Sequence, residues 1–140
     1  MGKPIQRHRK QAFLRQGGRC FYCGLPMWQS SPEELAAKTG LRPRALRCLQ
    51  CTAEHLKARR DGGGNSSENI AAACMACNQR RHARLSPPDP DAYMRLVRSR
   101  MDRGRWHHAA LHGAVRRSER RGRGVERNRA DARASTTVVQ

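Results

Sequence analysis

Six cysteines fall into three Cys-x-x-Cys pairs: Cys20/Cys23, Cys48/Cys51 and Cys74/Cys77. A two-residue gap lets both thiolates of a pair reach one tetrahedral zinc, at about 2.3 Å per Zn–S bond. One such pair is equally compatible with a redox site. Two pairs on either side of a compact unit point instead to a four-thiolate zinc centre. We pair Cys20 and Cys23 with Cys74 and Cys77, because both sit in turn-like contexts: Gly24-Leu25-Pro26 follows Cys23, and Cys77 opens a helix near Asn78. Cys48 and Cys51 lie within residues 45–56, which read as a strand, and residues i and i+3 of a straight strand point to opposite faces. We read them as small buried hydrophobes. The alternative has the zinc using Cys48 and Cys51 with one flanking pair.

Between the outer pairs lies a second set of reactive types in a fixed order. Glu54-His55 comes first, then Gly62-Gly63, then Glu68-Asn69-Ile70, then Cys74 to Cys77 followed by Asn78, with His82 four residues on. This order and spacing resemble the HNH endonuclease family over roughly residues 18–84. The resemblance implies a ββα-metal unit, a β-hairpin packed on a helix around a catalytic divalent ion. It also implies roles. His55 would be the general base, and Asn69 would hold the hairpin loop and orient the histidine. Glu54 and Asn78 would ligate the catalytic ion, with His82 close to the metal or the phosphate. The chain departs from the usual pattern at Glu54, where Asp is more frequent; the extra methylene carries the ligating oxygens further from the backbone. Cys48/Cys51 is also not a usual feature.

The implied chemistry is coherent on elementary grounds. Phosphodiester hydrolysis needs a deprotonated water, in-line geometry and a cation facing the charge that develops on phosphorus. Neutral imidazole is a competent base at physiological pH. A Glu with an Asn carbonyl makes a hard, oxygen-rich, incomplete site suited to Mg2+ or Mn2+. Asn78 and His82, spaced i and i+4, share a helix face. Arg59, Arg80, Arg81 and Arg84 are the candidate phosphate contacts.

The rest of the chain must position these groups with little apolar material. Lys and Arg number 29 against 11 Asp and Glu, a net charge of +18, which favours a polyanionic partner. Leu, Ile, Val and Phe make up only 19 of 140 residues, which excludes an ordinary oil-drop core spread over the whole chain. A structural zinc supplies on the order of 10 kcal/mol of folding free energy and compensates for that deficit. No apolar run is long enough to span a bilayer and no secretory signal is present, so we expect a cytoplasmic protein with no membrane partner.

Punctuation residues divide the chain. We expect a basic N-terminal helix over 1–17, ended by Gly17-Gly18. An HNH domain would span 18–86, with a helical insertion about 30–41 capped by Ser31 and stopped by Gly40. Within it, strands over 45–56 and 69–73 flank a glycine-rich loop, and a helix follows from Cys74 to Arg84. A helical extension, 87–112, would start at Asp89-Pro90, with Tyr93, Leu96, Val97 and Met101 on one face. Residues 113–140, rich in arginine and nearly without large apolar groups, read as a disordered tail. Trp28 and Trp106 read as packing residues, and no site forms around His107 and His108.

The expectation is an α+β protein: a small ββα-metal domain stapled by a Cys20/Cys23/Cys74/Cys77 zinc, with flanking helices and a basic tail. It would hydrolyse DNA, most readily double-stranded DNA, using Mg2+ or Mn2+; cutting both strands would require a homodimer or two events. The alternative is a non-catalytic, zinc-stabilised nucleic-acid-binding protein.

Overall fold

The computed structural model describes residues 3–135. The elements in chain order are α1 (Lys3–Arg15), α2 (Glu33–Thr39), β1 (Cys51–His55), β2 (Ile70–Cys74), α3 (Met75–His82), α4 (Pro90–Asp102) and α5 (Ala109–Ser135), with short 3-10 turns between some of them. β1 and β2 pair antiparallel, with Cys51 opposite Cys74 and His55 opposite Ile70. α3 follows β2 directly, so hairpin and helix form the expected ββα unit.

α1 lies against both strands. Its inner face carries Ala12, buried, with His8, Arg9 and Phe13 partly covered, while Arg7, Lys10 and Arg15 face water. That is the helical spacing of one covered stripe. Gln16 closes the free edge of β2: its Oε1 accepts from the Ala72 N–H at 3.0 Å and its Nε2 donates to the Ala72 carbonyl at 2.8 Å. The Phe21 N–H donates to the same carbonyl at 2.9 Å.

Within the 30–41 segment a helix forms at Glu33–Thr39, with a change at its start. Glu34 bends back, and its carboxylate accepts from the backbone N–H of Gln29, Ser30 and Ser31. Pro32, rather than Ser31, occupies the capping position of α2. α4 begins as its sequence predicts, with Asp89 Oδ2 accepting from Asp91 and Ala92 N–H.

Two segments depart from expectation. The first strand does not begin at residue 45, because Pro43–Leu49 form a 3-10 helix and β1 starts only at Cys51. Leu46 and Leu49, three apart, are both wholly buried, which is the period of a 3-10 turn. Cys48 therefore sits in that turn and only Cys51 is in a strand. The expected disordered tail is helical over its described part: α5 runs to Ser135, and residues 136–140 lie outside the described residues. Leu111, Ala114 and Val115 bury its first turns. Beyond them Arg, Ala and Glu favour helix locally, although that stretch is exposed from Arg120 to Ala134.

The core gathers around the cysteines. Tyr22, Leu46, Leu49, Tyr93 and Val97 are essentially inaccessible. Phe21, Tyr22, Tyr93 and Trp106 form an edge-to-face series with centroids 5.2, 4.7 and 6.1 Å apart, a favoured aromatic geometry. Trp28 packs as expected, donating its indole N–H to the Leu46 carbonyl at 2.8 Å. Among the described residues no helix is long and apolar enough to cross a membrane.

Candidate active site and metal centre

The candidate metal centre is built from two turns. Cys20 and Cys23 lie in a tight turn closed by Gly24 N–H to the Cys20 carbonyl, 3.0 Å, and Gly24 itself has φ +75°. Cys74 ends β2 and caps α3, its sulfur accepting from the Cys77 N–H at 3.5 Å. The four sulfurs lie within 4.8 Å of one another, and all four residues are buried. The donor set and closeness are consistent with zinc.

The four buried thiols differ in the direction their neighbours push them. Burial raises the Cys20 thiol, but hydrogen bonds from Cys23, Cys74 and Cys77 outweigh it and hold Cys20 well below its ordinary value. Cys74 is pushed well up, first by its bonds to Cys20 and Cys23. A divalent cation would take the place of the thiol protons. Two groups from the C-terminal part complete the surroundings: Trp106 Nε1 donates to Cys77 Sγ at 3.2 Å, and the Tyr93 hydroxyl donates to the Cys77 carbonyl at 2.7 Å. Cys48 and Cys51 stay outside the cluster, half-buried and buried respectively.

The second site lies at the other end of the hairpin. His55 ends β1, and α3 brings Asn78 and His82 beside it. The three line a cleft of about 290 Å3 together with Ala58, Arg59 and Arg60. Asn78 Nδ2 donates to Thr52 Oγ1 at 3.0 Å and to the Ala53 carbonyl at 3.2 Å. Those bonds fix the amide nitrogen against β1 and leave the amide oxygen for another partner. Glu54 stands behind the cleft with no exposure. Its Oε1 accepts from His82 Nε2 at 2.7 Å and faces Arg81 Nη1 at 3.3 Å. Its Oε2 is buried without a hydrogen-bond partner among the described residues, as is the Tyr22 hydroxyl. Burial, then the nearby Glu54 carboxylate, push the Tyr22 phenol upward, so it keeps its proton.

Asn69 holds the loop between the strands. Its Oδ1 accepts from the Lys57 N–H at 2.8 Å, and its Nδ2 donates to the carbonyls of Lys57 and Gly64 at 3.1 and 2.8 Å. The same loop needs glycine at Gly63, where a Cβ would collide with the Lys57 carbonyl. The hydrogen-bond partner of the His55 ring is Asn65, not Asn69: His55 Nε2 donates to Asn65 Oδ1 at 2.9 Å.

The arginines separate. Arg59 and Arg60 line the cleft, and Arg84 is exposed, its carbonyl accepting from Arg60 Nη2 at 3.0 Å. Arg80 turns towards the other end, with its guanidinium 4.7 Å from the Trp106 ring centre and Nη1 donating to the Trp106 carbonyl. Arg81, expected at phosphate, is 3% exposed. Its guanidinium donates to the carbonyls of Pro88, His55 and Leu56, so it ties α3 to the end of β1 and is too buried to meet a nucleic acid. No local pattern signals this role, since a basic helix end reads as a solvated face. Asn65 and Arg60 were also missed: an Asn after three glycines reads as turn chemistry, and Arg60 is one of many arginines.

A hairpin followed directly by a helix, with His55, Asn78 and His82 lining one cleft, is a ββα arrangement. Residues 40–84 match the family model described as HNH endonuclease. Cys20 and Cys23 lie before the match, so half of the thiol cluster comes from outside it. No curated protein and no solved structure matches the chain significantly.

Proposed function

We propose that the protein is a metal-dependent endonuclease that hydrolyses DNA phosphodiester bonds, with His55 as general base. The observation that carries this reading is the gathering of His55, Asn78 and His82 in one cleft edged by Arg59 and Arg60. The donor types fit a divalent ion: the Asn78 amide and the His82 imidazole line the cleft, and the buried Glu54 carboxylate touches His82. Glu54, Asn78 and His82 would hold Mg2+ or Mn2+, which when bound neutralises charge developing on the phosphate. His55 takes a proton from water, the resulting hydroxide oxygen bonds to phosphorus, and the opposite P–O bond breaks, its oxygen leaving with a proton from solvent. Asn69 keeps the loop closed beneath His55, and Arg59, Arg60 and Arg84 meet the flanking phosphates. A four-cysteine zinc keeps the thin core folded. The nuclease unit is residues 18–86, served by the basic helix 1–17 and the extension 87–112. Double-stranded DNA in the cytoplasm is the expected substrate, and one such site cuts one strand, so a homodimer would be required to cut both together.

The complete burial of Glu54 against Arg81 favours a second reading, a zinc-stabilised nucleic-acid-binding protein without turnover. A supercoiled-plasmid assay on zinc-loaded protein separates the two. Nicked product that requires Mg2+ or Mn2+, stops with EDTA and disappears in His55→Ala is the expected result. A gel shift without nicking, or nicking that His55→Ala leaves intact, overturns the base assignment.

A further inference from the structure

We propose that Asn65 is the positioning residue of His55, and that the N-terminal helix holds Asn65 in place through His8. This rests on the reading of His55 as the base. A neutral imidazole carries one N–H and one lone pair, and only the lone-pair nitrogen can accept a proton from water. Donation from His55 Nε2 to Asn65 Oδ1 at 2.9 Å places the N–H on Nε2 and leaves Nδ1 as the basic atom. An amide oxygen does this without bringing a further charge beside the Glu54–Arg81 pair.

β1 alone does not set the ring. His55 is the last residue of the strand, and Asn65 is its ring's hydrogen-bond partner among the described residues. Asn65 in turn belongs to an exposed loop that follows Gly62, Gly63 and Gly64, the type of segment with most backbone freedom to lose. Two successive carbonyls remove that freedom. The Gly64 carbonyl accepts from Asn69 Nδ2 at 2.8 Å, and the Asn65 carbonyl accepts from His8 Nδ1 at 2.8 Å. His8 lies on the partly covered face of α1, a helix that is itself packed on the hairpin. The path runs from helix to loop backbone to amide to imidazole, and each step is a hydrogen bond of ordinary length.

The test uses the full, zinc-loaded chain with Asn65→Ala, Asn65→Asp and His8→Ala. Three quantities are read: kcat and KM for plasmid nicking, bound zinc, and the His55 ring tautomer by 15N NMR without DNA. Outer partners of catalytic groups typically cost 10–100-fold when removed, so Asn65→Ala is expected to lower kcat by roughly that factor. KM and zinc content stay unchanged, and the Nε2–H tautomer gives way to a mixture. Asn65→Asp keeps the acceptor and retains the tautomer; His8→Ala moves kcat the same way as Asn65→Ala but less. A purely structural role would not change the tautomer. If Asn65→Ala keeps both tautomer and kcat while His55→Ala is inactive, the proposal is overturned and the nuclease reading stands. If His55→Ala nicks at the normal rate, the base reading falls and the proposal falls with it.

Discussion

Arg81 and Glu54 form an ion pair inside the protein, with Nη1 3.3 Å from Oε1 and the side chains 3% and 0% exposed. The guanidinium also donates to the carbonyls of His55, Leu56 and Pro88. Breaking a buried pair from one side leaves an uncompensated charge, which typically costs about 3–5 kcal/mol. Arg81→Met should lose about that much, read as a fall in denaturation midpoint at saturating zinc. Adding Glu54→Gln should recover part of the loss, because the remaining buried group is then neutral.

The thiol cluster predicts a sharp division among the cysteines. Wild-type protein should bind one zinc with high affinity, and Cys74→Ser should lose both the metal and the cooperative thermal transition. Cys48→Ser, a half-buried position outside the cluster, should keep the zinc and stay within about 1 kcal/mol of wild type. Metal analysis with calorimetry checks this; a zinc-free Cys48→Ser with an intact Cys74→Ser would reverse the ligand assignment.

Burial, followed by the Arg80 charge and His112, pushes His107 down to about 4 from an ordinary 6.5. Between those values the unfolded chain binds this proton and the folded chain does not. The stability is therefore complete above the ordinary histidine value and falls as pH drops towards 4. Acid also releases zinc, so the informative quantity is a difference: His107→Phe should show a shallower loss of denaturation midpoint over this window than wild type.

The glycine loop makes a positional prediction. Gly63 faces the Lys57 carbonyl with no room for a methyl, whereas a Cβ at Gly64 meets nothing within 4 Å. Gly63→Ala should displace the loop and lower nicking strongly, and Gly64→Ala should be much milder. Equal effects in the two variants would mean that the loop is not held against Lys57.

Exposed arginines along α5 should act through salt. Each one that neutralises a phosphate adds about 0.9 to the slope of log affinity against log salt. Replacing Arg120, Arg121 and Arg127 by Ala should flatten that slope and weaken binding to unrelated sequences alike, measured by anisotropy across a salt titration.

The thiol cluster and the ββα unit were legible because their constraints are local in spacing. Cys-x-x-Cys fixes ligand reach, and Asn78 to His82 fixes one face of a helix. The Asp89-Pro90 start of α4 was readable for the same reason, as a capping pattern. The 3-10 turn at Pro43–Leu49 was not, since two buried leucines three apart within a short apolar stretch carry no contrast between turn and strand. The partners of His55 and Glu54 were also out of reach. Arg81 and Asn65 acquire their contacts only when α3 and the loop close on β1, and a composition of 29 basic residues marks none of them as special. α5 shows a different limit: lack of apolar residues argued for disorder, whereas arginine and alanine carry helix propensity without any core.

The sulfur cluster also sets a schedule for folding. Cys23 and Cys74 are 51 residues apart, and Cys77 meets the Trp106 indole across another 29. Until Cys77 has left the ribosome, a growing chain holds only one outer thiol pair and half of a hairpin. It must then close a long loop before those contacts repay the lost chain freedom. Capture of a metal by all four thiols would thus wait until Cys77 has emerged, and until then the growing chain offers open thiols and unpaired strand edges to whatever surrounds it.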